Sequence, residues 1–303
     1  MTSRPQIAWI GAGRMGVPMA GFVLTAGYPV AVYSRSAENR RKLVDRGARE
    51  AASVADCVRA ADIVFTSLPD DAALRSVALG PDGVLAGVKA SAVFADTSTV
   101  SAQASGEVAR EAAVRGIAYL RMPISGNAAS AQRGEVTAMA SGPQEAWQRI
   151  RPVVQTFSSG QTYLGGGEEA RYMKLVVNAL VVNFAQTMAE AFALGRKAGL
   201  DWNLMLDTIA HSTIASPWLK TKIALLKPRD FTVTMSTRLI MKDLDLMLAA
   251  AREHDVPMPL TAVTRQLMQA VAGAGYAEED YMAAIKVAEA QSGLSAETMD
   301  RLP

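Results

Sequence analysis

Lys174 and Asn178 stand four residues apart inside MKLVVNALVV, residues 173–182, a run that is otherwise apolar. Four residues is just over one helical turn, so on a helix both side chains share one face. An ammonium taken into an apolar wall loses hydration, which disfavours its charged form and lowers its pKa. Such a lysine can exchange a proton with a substrate oxygen near neutral pH, and an amide one turn on can orient both partners. A lysine that snorkels along its own stem to water gives the same pattern, and the helix pattern alone leaves the two readings even. Asn183, Gln186 and Glu190 fall on the opposite side of the same helix. Two polar stripes in an apolar surface predict cover on two sides, one of them a second subunit or a helical layer.

A second constellation lies at the start of the chain. Gly11-Ala12-Gly13-Arg14-Met15-Gly16 fits G-x-G-x-x-G, and the apolar IAWI of residues 7–10 runs directly into it. After a strand and before a helix, this pattern cradles a dinucleotide. Gly11 permits the tight turn, Gly13 lets a pyrophosphate approach the backbone, and Gly16 allows close helix–strand packing. The helix N-terminus supplies N–H donors and a positive dipole end. The second strand of such a unit meets the adenosine ribose, where an acidic residue would accept from the 2′-hydroxyl of NAD. Here the residues are Ser34-Arg35-Ser36, with Arg40 and Arg41 nearby. Guanidinium and hydroxyl donors suit a 2′-phosphate, so the cofactor expected is NADP, with NADPH preferred over NADH.

These residues need particular elements to hold them. Strand-like segments recur at 7–10, 29–34, 62–68, 92–97 and 136–141, with helical patterns between, and IAYLRM comes after Gly116. Strands separated by helices predict a doubly wound parallel α/β sheet, a Rossmann domain. After Gly165-Gly166-Gly167 no proline or glycine appears until Gly195. A helix of about 30 residues is predicted from Glu168, with its acidic start favouring the dipole. Beyond Gly199 the pattern stays helical, broken near Pro217, Pro228 and Pro257–Pro259. The expected organisation is a dinucleotide-binding domain over 1–164 and an all-helical substrate and dimerisation domain over 165–303.

The chain resembles the β-hydroxyacid dehydrogenases, the family that includes 3-hydroxyisobutyrate dehydrogenase and tartronate semialdehyde reductase. The likeness is carried by IGAGRMGVPMAGFVLTAGYPVAVYSR, SLP at 67–69, DTST at 96–99, MPISG at 122–126, MKLVVN at 173–178 and KDLDLML at 242–248, in that order. It implies a Rossmann domain joined by a long helix to an all-α C-terminal domain. It implies that Lys174 is the acid/base residue and that Asn178 supports the substrate. Ser125 and Gly126, with Asn127 beside them, would hold the carboxylate of a small-molecule substrate. Leu68, Pro69 and Thr99 would line the cofactor, Lys242 would reach it from the second domain, and Asp243 would be structural. The chain departs from the family pattern at Arg121, Asn127, Ser130 and Arg171, which leaves the substrate open. Two other readings are an imine reductase on a similar scaffold, disfavoured by Lys174, and a silent dinucleotide sensor. The second is disfavoured because Lys174, Asn178, Ser125 and Lys242 all remain.

Composition bounds the rest. A net charge of +2 with acidic and basic residues interleaved implies no general affinity for nucleic acid or an anionic membrane. Cys57 is the single cysteine, read as a small core hydrophobe. His211 and His254 lie far apart with no ligand-like neighbours, so no metal site is expected. MTSRPQ leads straight into a strand with no apolar leader, and Lys174 interrupts the best apolar run. A cytoplasmic homodimer or homotetramer is expected.

Overall fold

The computed structural model describes residues 4–294. The chain divides into two compact units, Met1–Val177 and Asn178–Pro303. The first unit alternates β1 (Ile7–Ile10), α1 (Gly16–Thr25), β2 (Val30–Tyr33), α2 (Ala37–Val44), β3 (Arg49–Glu50), α3 (Val54–Val58), β4 (Ile63–Thr66), α4 (Asp71–Leu79), α5 (Val84–Gly87), β5 (Val93–Asp96), α6 (Ala102–Val114) and β6 (Ala118–Arg121). The six strands form one sheet in the order β3-β2-β1-β4-β5-β6, every pair parallel. This is the doubly wound order whose two halves reverse at β1/β4.

Both faces of the central strands β1, β4 and β5 are buried, as a parallel sheet requires. Ile7 and Trp9 of β1, Ile63 and Phe65 of β4 and Val93 and Ala95 of β5 face one core. The alternate residues Ala8, Ile10, Val64 and Phe94 face the other. Trp9, Phe65 and Phe157 interlock in the first core with ring centroids 5.1, 5.8 and 6.0 Å apart. Cys57 lies in the second core, where burial raises its thiol to about 12, so it is an inert hydrophobe.

A second, three-stranded sheet comes next: β7 (Ile124–Ser125), α7 (Ala128–Gln132), β8 (Val136–Ala140), α8 (Gln144–Val154) and β9 (Ser158–Tyr163). β8 runs antiparallel to β7 and parallel to β9. Arg121 and Ser141 exchange both backbone hydrogen bonds at 2.9 Å, fixing the small sheet to the end of β6. The segment 136–141, expected as a strand, therefore belongs to a separate sheet. β7 is two residues long and β9 reads SSGQTY, so neither carries the apolar signal of a strand.

The 29-residue helix α9 (Glu169–Lys197) crosses the division between the units. By length and composition alone it is apolar enough to cross a membrane, but 44% of that apolar stretch is buried inside the protein. The second unit continues with α10 (Trp202–Ala210), α11 (Pro217–Leu226), α12 (Thr237–Glu253), α13 (Pro259–Val271) and α14 (Ala284–Gln291). Polar ties fix its helices. Asn183 bonds Thr261 and Thr264 on α13. Lys222 and Asp280, both buried, pair at 2.9 Å. Asp280 also accepts from Thr234, Met235 and Met282, which shapes the segment leading into α12.

Candidate active site

The glycine-rich turn has the geometry its sequence demands. Gly11 adopts φ +97°, and a Cβ there would lie 2.2 Å from the Ser67 carbonyl oxygen. A Cβ on Gly16 would lie 2.0 Å from the Gly11 carbonyl oxygen. Gly13 differs, since a Cβ there would meet nothing within 4 Å. Its open side is where a pyrophosphate can reach the backbone. Met15 caps α1 without a side-chain bond; the Val17 N–H donates to the Gly13 carbonyl at 3.0 Å and Pro18 has no N–H, so Gly16 supplies the first-turn N–H suited to an anion. The turn of Gly11, Ala12, Gly13, Arg14, Met15 and Gly16 thus fits the group expected there.

At the end of β2, Arg35 is exposed and forms no ion pair among the described residues. Ser36 caps α2 by accepting from the Asn39 N–H at 3.2 Å, and its own O–H stays available. Arg40, by contrast, is held. It donates to the Ser34 carbonyl and pairs with Glu50 of β3 at 2.8 Å. Arg41 faces Asp45 at 3.9 Å. Of the three arginines near this turn, Arg35 is the one without an ion-pair partner among the described residues.

The turns after β4 and β5 are joined. The Leu68 N–H donates to Ser98 Oγ at 2.8 Å, and Ser98 Oγ donates to Asp96 Oδ1 at 2.6 Å. Thr66 Oγ1 donates to the same carboxylate oxygen at 2.6 Å. Leu68 and Thr99 are half-buried and Pro69 is exposed. The next strand end continues the row, because the Met122 N–H donates to the Asp96 carbonyl at 2.8 Å. The turns at 11–16, 34–36, 67–69, 97–99 and 122–127 therefore lie along the carboxyl edge of one sheet, where ligands bind in this architecture.

Ser125 ends β7, and Gly126 follows at φ +145°, where a Cβ would press within 2.6 Å of Ser130 Oγ. Asn127 then caps α7. Its side-chain oxygen accepts from the Ser130 N–H at 3.0 Å, while Ser130 Oγ accepts from the Asn127 N–H at 2.8 Å. The two departures at 127 and 130 are thus one reciprocal capping box. It fixes the Asn127 amide through its side-chain oxygen.

Arg121 and Arg171 form two further local solutions. Arg121 pairs with Glu168, Nε to Oε1 at 2.7 Å, and lies over the Tyr119 ring at 5.1 Å. Arg171 is 1% exposed and donates to Asp96 Oδ2 at 2.6 Å, the Ser98 carbonyl at 2.7 Å, Tyr119 Oη at 2.9 Å and Ser105 Oγ at 3.1 Å. Burial opposes the Arg171 charge, and Tyr119 and Asp96 beside it more than offset this, so its pKa is raised. Burial also raises the Tyr119 hydroxyl to about 12. The partners of both arginines are missed by sequence reasoning. The available signal was charge placed where the pattern calls for apolar or small residues.

Lys174 follows Arg171 by three residues on α9 and is buried, 8% exposed. In the second unit, buried Asn178 donates Nδ2 to Asp243 Oδ2 at 2.7 Å. A carboxylate can only accept, so Asp243 settles which end of the Asn178 amide is NH₂ and leaves Oδ1 as the acceptor. Lys242 Nζ stands 3.0 Å from Asp243 Oδ1, an ion-pair contact not aligned as a hydrogen bond. His211 and His254 are exposed, and no metal-like cluster of His, Cys, Asp or Glu occurs among the described residues.

Comparison with known proteins covers both halves. Residues 6–166 match the family described as the NAD binding domain of 6-phosphogluconate dehydrogenase. Residues 169–288 match the one described as NAD-binding of NADP-dependent 3-hydroxyisobutyrate dehydrogenase. The 2-(hydroxymethyl)glutarate dehydrogenase of Eubacterium barkeri is 33% identical over 291 residues, 96% of this chain and 97% of that protein. The structure of 3-hydroxyisobutyrate dehydrogenase from Salmonella typhimurium superposes with a TM-score of 0.85 at 27% identity, covering 93% of this chain and 99% of that one. A structure described as Psf3 in complex with NADP+ and 2-OPP does so with a TM-score of 0.85 at 26% identity, with the same coverage of 93% and 99%. With both halves matched and the carboxyl-edge turns built for a dinucleotide, the chain belongs to the 3-hydroxyisobutyrate dehydrogenase-like family of NAD(P)-dependent β-hydroxyacid dehydrogenases.

Proposed function

We propose that this protein is an NADPH-preferring oxidoreductase acting on a small β-hydroxyacid or its semialdehyde or keto form, with Lys174 as the general acid/base. The observation that carries the reading is a buried lysine three residues beyond an arginine anchored to the carboxyl edge of a dinucleotide-binding sheet. When bound, the nicotinamide supplies hydride in reduction and accepts it in oxidation. Lys174 protonates the substrate oxygen in reduction, and neutral Lys174 takes the hydroxyl proton in oxidation. Ser125, Gly126 and the fixed Asn127 amide anchor the substrate's carboxylate, and Asn178 orients its hydroxyl. Ser34, Arg35 and Ser36 take the 2′-phosphate, and Gly11–Gly16, Leu68, Pro69, Thr99 and Lys242 are assigned to the rest of the cofactor.

The same reading assigns dinucleotide binding to residues 1–164 and substrate recognition and assembly to 165–303, in a cytoplasmic protein. An even homo-oligomer is supported by apolar side chains left uncovered on the helical unit, among them Leu180 at 70% and Leu194 at 72% exposure. The test is NADPH oxidation against small aldehydes, 2-keto and 3-keto acids and cyclic imines, with the mass measured by light scattering. Turnover confined to carboxylate-bearing aldehydes or keto acids, by an even oligomer, is expected. Turnover of imines alone, or binding of NADPH with no turnover, would reject the reading, and a mass of one chain at micromolar concentration would reject the assembly.

A further inference from the structure

We infer that Arg171 is a positioning residue for Lys174, acting through its ion pair with Asp96. The inference rests on the reading of Lys174 as the acid/base group. All five guanidinium hydrogens have directions fixed by a planar fork. Four bonds hold that fork: to Asp96 Oδ2, the Ser98 carbonyl, Tyr119 Oη and Ser105 Oγ. These acceptors come from the end of β5, the turn after it, β6 and α6. On the other side of the carboxylate, Asp96 Oδ1 accepts from Thr66 Oγ1 and Ser98 Oγ, and Ser98 Oγ accepts from the Leu68 N–H. One ion pair therefore ties the first turns of α9 to the strand ends and to the turn at Leu68.

Residues 171 and 174 are neighbours on one helical face. Any roll or slide of α9 that Arg171 permits is passed to Lys174 through a rigid backbone. A displacement of about 1 Å in a reacting group costs about 10²-fold in rate. A lysine at 171 keeps the charge but is a point donor on a shorter reach, so it cannot serve four acceptors spread over four elements. Arg171 itself is assigned no contact with the substrate or the reacting atoms. Its effect falls on turnover rather than on binding.

The experiment compares wild type, Arg171→Lys, Arg171→Gln/Asp96→Asn, Ile150→Ala and Lys174→Ala in the full-length protein. Ile150 is a fully buried core residue of α8 with no tie to this network, so Ile150→Ala reports what loss of stability alone does. Thermal midpoint, NADPH dissociation constant, kcat, substrate KM and the pH profile of kcat are measured for each. Arg171→Lys is expected to be folded, with kcat lower by about 10- to 10²-fold, NADPH affinity and substrate KM within threefold of wild type, and a displaced acid/base limb in the pH profile. The double variant, which leaves no unpaired buried charge, should fold and show the same loss of kcat. Ile150→Ala should keep wild-type kcat and pH profile despite a lower midpoint. The inference is overturned if Arg171→Lys retains kcat within threefold. An equal loss in Ile150→Ala overturns it too, as does NADPH affinity falling as far as kcat. If only Lys174→Ala loses activity, the positioning role fails while the acid/base reading stands. If Lys174→Ala turns over like wild type, both fall together.

Discussion

Arg35→Asp should reverse or abolish the preference for NADPH. The magnitude depends on how the neighbouring groups are used. Arg40 is already committed to Glu50 and to the Ser34 carbonyl, and Arg41 lies toward Asp45. That leaves Arg35 as the guanidinium available to a 2′-phosphate, with the Ser36 O–H as a neutral helper. Charge-assisted hydrogen bonds contribute roughly 1.5–3 kcal/mol. An exposed site belongs at the low end, so Arg35→Ala should lower kcat/KM for NADPH about tenfold at 1.4 kcal/mol per decade. Replacing Arg35 by aspartate adds repulsion between one charge and a nearly doubly charged phosphate. At about 5 Å in water this costs between 1 and 2 kcal/mol, roughly another tenfold. The combined loss is about 10²-fold for NADPH, while efficiency with NADH should change by less than about threefold. The assay is kcat/KM with each cofactor for wild type, Arg35→Ala and Arg35→Asp, at low and high salt. Screening predicts that the contrast shrinks at high salt. Glu50→Gln supplies an arm in the opposite direction, since releasing Arg40 from its carboxylate should strengthen NADPH use. A wild-type preference for NADH, or an unchanged cofactor ratio in Arg35→Asp, would refute the reasoning.

Alkaline stability should depend on Tyr119. Its folded-state pKa of about 12 exceeds the ordinary 10.0, chiefly through burial and against the pull of Arg171. The folded state thus holds a proton that the unfolded chain releases, so stability is full below pH 10 and lost as pH climbs toward 12. The rise corresponds to roughly 3 kcal/mol; urea midpoints from pH 9 to 12 should fall less steeply in Tyr119→Phe than in wild type. Asn127→Ala should lower stability by about 1 kcal/mol through loss of the cap on α7, and raise substrate KM while leaving NADPH affinity unchanged. Equal changes in both affinities would show that the loop serves the cofactor instead.

The elements that position the site were legible because their signals are local. The strand at residues 7–10 and the glycine turn after it are fixed by apolar run and backbone freedom, and the long helix by a run without proline or glycine up to Gly195. The parts that were not legible depend on partners distant in sequence. Arg171 stood out as an unusual charge, but its partner Asp96 lies 75 residues earlier. Glu168 reads as a dipole-favouring start to α9, and the fold instead gives its carboxylate to Arg121, 47 residues away. Asn127 and Ser130 read as two unrelated departures, yet they form one capping box whose geometry shows only once the backbone turns. Arg40 reads as a further guanidinium near Ser34-Arg35-Ser36. The short strand β3, which brings Glu50 beside it, has only two residues and leaves no trace in periodicity.

The central claim is that Lys174 exchanges the proton, and the most direct measurement is turnover of Lys174→Ala beside its affinity for NADPH. The variant is brought to saturation with NADPH and the best substrate, and its fold is verified by circular dichroism and thermal midpoint. The expected result is a loss in kcat of about 10²–10⁴-fold, the scale of a positioned acid/base group, with the NADPH dissociation constant within threefold of wild type. A folded Lys174→Ala protein that turns over at near the wild-type rate would contradict the claim.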